Sequence, residues 1–122
     1  MTQRVRVQNF TITRDGYGAG EGQSLETPFG SVDPMKLMGW ALATASMPSH
    51  PNPSGSRGLD DYFIRDFAHN IGAEIMGRNK FGPQRGAWEN EDWQGWWGDD
   101  PPFHTPVFVL THHVRPSFSL SD

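Results

Sequence analysis

The stretch "GAEIMGRNKFGP", residues 72–83, decides how this chain is read. A short apolar run, residues 73–76 with Glu74 inside it, breaks at Gly77, and Arg78, Asn79 and Lys80 follow at once. The run predicts a strand over 73–76. Its end is either a solvated turn or a basic pocket, because a parallel strand presents free backbone N–H groups to a phosphate at its carboxyl end. Gly77 lets the backbone approach a ligand, and Arg78 offers a planar fork for bidentate phosphate contact. Asn79 adds a donor and Lys80 a point charge at the periphery. Taken alone, a glycine and an arginine are better explained as a turn and a solvated side chain.

Upstream, Phe63, Phe67 and Ile71 recur at four-residue spacing beside Ile64 and Ala68, which predicts a helix. Asp60 or Asp61 would cap it, and Gly72 stands where a left-handed C-terminal residue is wanted. Residues 46–58, "SMPSHPNPSGSRG", hold three prolines, four serines and two glycines and predict an exposed, mobile loop. Before that loop, Asp33-Pro34 is a helix start, and Met35, Met38, Leu42 and Ala45 carry helical spacing through about Ser46. Residues 14–22, "RDGYGAGEG", read as a turn and flexible loop. Residues 4–12, "RVRVQNFTI", read as a strand whose inward parity changes from Val5 and Val7 to Phe10 and Ile12. Either both its faces are covered or a bulge intervenes.

Downstream lies a Trp-rich loop, 82–104, with four of the five tryptophans. "TPVFVLT", 105–111, follows as an apolar run expected to be a strand buried on both faces. Strand, helix, helix, strand, loop and buried strand predict an α/β domain, 1–122, with a parallel sheet flanked by helices.

Composition narrows the function classes. A net charge of −4 argues against a nucleic-acid partner. No cysteine is present, which removes disulfides, thiolate catalysis and Cys-based zinc sites. No stretch approaches the ~20 apolar residues of a membrane span, so a cytoplasmic protein without a membrane partner is expected. Five histidines raise the question of a metal, but no HExxH-type spacing occurs. His112 and His113, as neighbours on a strand, would point to opposite faces, so no metal site is expected.

Three segments together resemble the dihydrofolate reductase superfamily, and more narrowly bacterial proteins similar to the reductase domain of the riboflavin-biosynthesis deaminase/reductase. They are "TITRDGYGAG" at 11–20, "IGAEIMGRNKFGP" at 71–83 and "GWWGDDPPFHTPVFVLTHH" at 95–113. The resemblance implies a dihydrofolate-reductase-like fold and NADPH-dependent reduction, by hydride transfer, of a small and heterocyclic substrate. It implies that Gly77, Arg78, Asn79 and Lys80 face the cofactor phosphates. Thr111, His112 and His113 would lie near the adenosine 2′-phosphate, and the Asp15–Gly20 loop would border nicotinamide and substrate. An acidic residue on the helix before the strand binds substrate in such reductases, and Asp61 stands at the comparable separation. Asp61 and Asp15 are therefore the candidate catalytic carboxylates. Each has a structural alternative: Asp61 as an N-cap or a partner of Arg65, Asp15 as an Asp-Gly turn former.

The chain departs from that family in one respect. The glycine pair that completes the pyrophosphate site has no counterpart, since no Gly-Gly occurs in the sequence. The expectation is a domain missing its C-terminal strands, with the frame continuing or a partner chain supplying them. The rival expectation is a truncated or domain-swapped, non-catalytic module that forms a homo-oligomer, a dimer, through an exposed sheet edge. Trp88, Trp93, Trp96 and Trp97 are expected to fold their loop onto the sheet, with Trp96 or Trp97 nearest a ligand.

Overall fold

The computed structural model describes residues 2–7, 11–48 and 50–121. It is a mixed α/β structure with a two-stranded parallel sheet, and it divides into two units. The first comprises residues up to Gln23 and Phe29–His69; the second comprises Ser24–Pro28 and the chain from Asn70.

In the first unit, Asp33 and Pro34 start helix α1, Pro34–Leu42, as expected. The Asp33 side chain accepts from the Met35 N–H at 3.0 Å, and Pro34 sits where its missing N–H is not needed. The helix is a turn shorter than its apolar spacing predicts. Leu37 and Ala41 are its buried positions, whereas Met35 is exposed. Thr44 ends the run: it is fully buried, and its hydroxyl donates to the Ala41 carbonyl at 2.7 Å. Thr44 also forms an isolated parallel bridge with Ser56. The Ala45 and Ser56 N–H groups donate to Ser56 and Ala43 carbonyls, so the 46–58 loop is pinned at its base. Gly55 is required there, since a Cβ would stand 2.6 Å from the Thr44 backbone.

Helix α2, Leu59–Arg65, begins two or three residues earlier than expected. Its N-cap is Gly58, which places Asp60 and Asp61 inside the first turn rather than at the cap. There they complement the helix dipole. Regular helix stops at Arg65, so Phe67, Ala68 and Ile71 lie beyond it, and Phe63 is exposed. The left-handed residue after these turns is Asn70, φ 58°, not Gly72.

The strand expected over 4–12 does not form among its described residues. Residues 2–7 carry no regular structure, and Val5 and Val7 are almost fully exposed. β-Propensity marks a chain suited to a pleated surface, and without a neighbouring strand it yields only an extended segment. That segment is tied by Arg6, which pairs with Asp66 at 2.9 Å and donates to the Asp66 and His69 carbonyls. Phe10, part of the parity argument, lies outside the described residues. The 13–17 turn forms as read: Thr13 and Asp15 bond through their side chains, and Gly16 has φ 92°.

In the second unit, β1, Glu74–Gly77, pairs in parallel with β2, Val107–Leu110, in the register Glu74↔Val107 to Gly77↔Leu110. One turn of helix, α3, Arg78–Phe81, follows β1 directly. β2 is not buried on both faces. Met76 is buried, while Ile75, Phe108 and Leu110 on the opposite face are 64, 59 and 65% exposed. The apolar run therefore has one covered side and one open side.

The Trp-rich loop packs on α3 and on itself. The Trp93 indole donates to the Phe81 carbonyl at 2.9 Å, Trp93 meets Trp96 edge-on, and Trp97 meets Phe103. Among the described residues no helix is long and apolar enough to cross a membrane.

Candidate functional site

β1 ends at Gly77 in extended conformation, and the next residue turns the chain into α3. Arg78 thereby leaves the carboxyl end of β1 beside the carboxyl end of β2, where Thr111 follows Leu110. Its Nη1 donates to the Gly86 carbonyl and to the Thr111 hydroxyl at 3.4 Å, and so ties the two strand ends together. The guanidinium carbon lies 3.7 Å from the centroid of the Trp88 ring. Trp88 is held in turn: its indole N–H donates to the His113 carbonyl, and its ring meets Phe81 edge-on at 6.0 Å.

Arg78 is incompletely satisfied. Its Nε and Nη2 are buried with no hydrogen-bond partner, and no carboxylate among the described residues forms an ion pair with it. Buried guanidinium donors without a partner are costly unless an acceptor completes them. A fixed, planar guanidinium with two unused donors is chemistry suited to an oxyanion.

Arg115, which sequence reasoning did not single out, shares the same ring. Its guanidinium carbon is 4.9 Å from the Trp88 centroid and 4.7 Å from that of Phe118. Its Nη1 is likewise buried and unpartnered. The signal for it was modest: Arg115 is the one charged residue in 114–121. Trp88 was expected only to pack the loop, yet it is the platform for both guanidinium groups.

The other candidates divide. Thr111 lies at the site, and its hydroxyl also donates to the His113 carbonyl at 3.2 Å. His113 takes part through its backbone, while the side chains of His112 and His113 are in an exposed bend. β2 ends at Leu110, so the alternation expected of two strand histidines does not apply to them. Asn79 is exposed. Lys80 is exposed over part of its length, yet desolvation draws its pKa below the ordinary lysine value, with the Glu74 carboxylate opposing that shift. Among the described residues no group of three or more histidine, aspartate or glutamate side chains converges to hold a metal.

Asp15 and Asp61 belong to the first unit. Asp61 is 3% exposed, and its Oδ1 accepts the Ser46 N–H at 2.8 Å. It does not pair with Arg65, which lies over the Tyr62 ring at 5.1 Å. Asp15 is exposed in its turn.

A cavity of about 590 Å³ opens within the second unit, on the side of the sheet that carries Met76, Val107 and Val109. Trp88, Trp97 and residues 114–120 complete its walls. Compared with protein-family models, with curated proteins and with solved structures, the chain matches none.

Proposed function

We propose that the chain is a dihydrofolate-reductase-like domain that binds NADPH and reduces a small, heterocyclic substrate. One observation carries the reading. Arg78, at the carboxyl end of a parallel strand, is braced on Trp88 and keeps two buried donors unpaired. That donor set fits a phosphate, with Thr111 beside it. NADPH, when bound, would supply hydride; the chain's own residues would anchor and orient it. Gly77, Asn79 and Lys80 would border the phosphates, and His112 and His113 the adenosine end. Titrating the chain with NADPH by nicotinamide fluorescence tests the assignment. Arg78→Ala is expected to weaken binding at least about tenfold, or about 1.4 kcal/mol. Unchanged affinity, or no affinity in the native chain, removes it.

A second reading has its own observation. Ile75, Phe108 and Leu110 form an open apolar face on a two-stranded sheet, and both strands are edges. Parallel sheets are ordinarily covered on both faces. In this reading the chain is a non-catalytic module that pairs with a second copy through that face. Light scattering separates the two: an obligate dimer without NADPH affinity favours the module, and a monomer that binds NADPH favours the reductase.

A further inference from the structure

We propose that the cavity on the covered side of the β1–β2 sheet is a binding site for a small aromatic carboxylate, anchored by Arg115 and Thr105. The proposal does not rest on the dinucleotide reading: Arg115 lines the cavity and Arg78 does not, although Trp88 and Thr111 stand at both.

The walls set the ligand's body. Met76, Phe81, Trp88, Trp97, Phe103 and Val109 are apolar or aromatic, and flat rings are the shape such walls accept with least loss of contact. A volume of about 590 Å³ holds a bicyclic acid with room to spare, within the range of about 300–1,000 Å³ usual for small-molecule sites.

The charges set its head group. Among the described residues, Arg115 is the one formally charged side chain on the cavity wall, and no carboxylate shares that wall. Its Nη1 is buried without a partner, and so is the Oγ1 of Thr105 on the same wall. The Trp88 and Phe118 rings face the guanidinium and offset part of its desolvation, but a ring accepts no N–H bond in the plane of the fork. An anion is what remains to complete it. The unpartnered guanidinium donor and hydroxyl on that wall each call for an acceptor, and a carboxylate carries two. A single guanidinium balances one negative charge, which a carboxylate carries and a phosphate dianion exceeds.

Isothermal titration calorimetry on the full chain, without nucleotide, tests the site with 2-naphthoate against its uncharged analogue 2-naphthamide. The acid is expected to bind at least about tenfold more tightly than the amide. The Trp88 and Trp97 indole N–H resonances should shift on adding it. R115Q should abolish the preference for the acid, and T105V should reduce it. Equal affinities, no binding of either compound, or displacement of the acid by an equal concentration of inorganic phosphate would overturn the proposal. The acid-against-amide comparison in the native chain decides the matter even where R115Q does not fold. A chain that binds 2-naphthoate but not NADPH upholds this site and removes the reductase reading; the converse separates them the other way.

Discussion

Arg78 stacks on Trp88 at 3.7 Å, and Arg115 approaches the same ring at 4.9 Å. The two guanidinium carbons are thus no further apart than the sum of those distances. Like charges at such separation repel, and neither group has a carboxylate partner among the described residues. Trp88 is what makes the pair tolerable, because its π-face is attracted to both cations. The positive character of this end of the sheet is therefore built in by an aromatic platform rather than by counter-ions.

Trp88→Leu is the direct test of that platform. It keeps an apolar side chain but removes the ring, the Phe81 contact and the bond to the His113 carbonyl. Loss of about 1–3 kcal/mol of stability is expected in urea unfolding. NADPH affinity should fall about threefold or more even though Arg78 is retained. An unchanged unfolding midpoint would show that the ring does not brace the site.

Asp61 is predicted to matter first for folding. Asp61→Ala leaves the half-buried Ser46 N–H without its acceptor, at a cost of about 1 kcal/mol. Asp61→Asn retains an acceptor oxygen and should be the milder change. Thermal unfolding of both variants checks the order; equal effects would mean that the bond to Ser46 contributes little.

How far the sequence carried is plain at Asp61 and β2. Local chemistry was legible: Asp33-Pro34 starts α1, Gly77 ends β1, and the tryptophans fold their loop. What depended on partners was not. The 4–7 segment has the composition of a strand but pairs with none among the described residues, and the apolar run of β2 has one open face. Asp61 looked like a cap because caps are recognised by residue type, whereas its bond reaches back to Ser46 across a loop. Arg115 was missed for the same reason. Nothing adjacent to it in the chain reveals that Trp88 will lie beneath it.

Lys80 provides a pH signature. Desolvation lowers its pKa in the folded chain, and the Glu74 carboxylate only partly opposes this. The folded state therefore releases the proton at a lower pH than the unfolded state does. Between the lowered value and the ordinary lysine value the unfolded chain binds more protons, so this group makes stability rise with pH across that window. Below the window its charge is a constant penalty. Lys80→Gln should remove the alkaline rise, measured by urea unfolding from about pH 8 to about pH 11, and should not destabilise the chain at neutral pH. A variant that keeps the full pH slope would assign that slope elsewhere.

Gly82 is the backbone position on which the Trp-rich loop closes. A Cβ there would stand 2.4 Å from the Trp93 indole nitrogen and 2.9 Å from the adjoining ring carbon. The indole cannot simply swing away, because its N–H donates to the Phe81 carbonyl and its ring meets Trp96 at 5.1 Å. Gly82→Ala must therefore break the bond to Phe81 or shift α3, and α3 begins with Arg78. Overpacking of this kind costs about 1–3 kcal/mol, and the displaced Trp93 should raise solvent quenching of tryptophan fluorescence. Because Arg78 is carried on the same single turn, NADPH affinity should fall together with stability. A variant of native stability and native fluorescence would show that the loop closes without this contact.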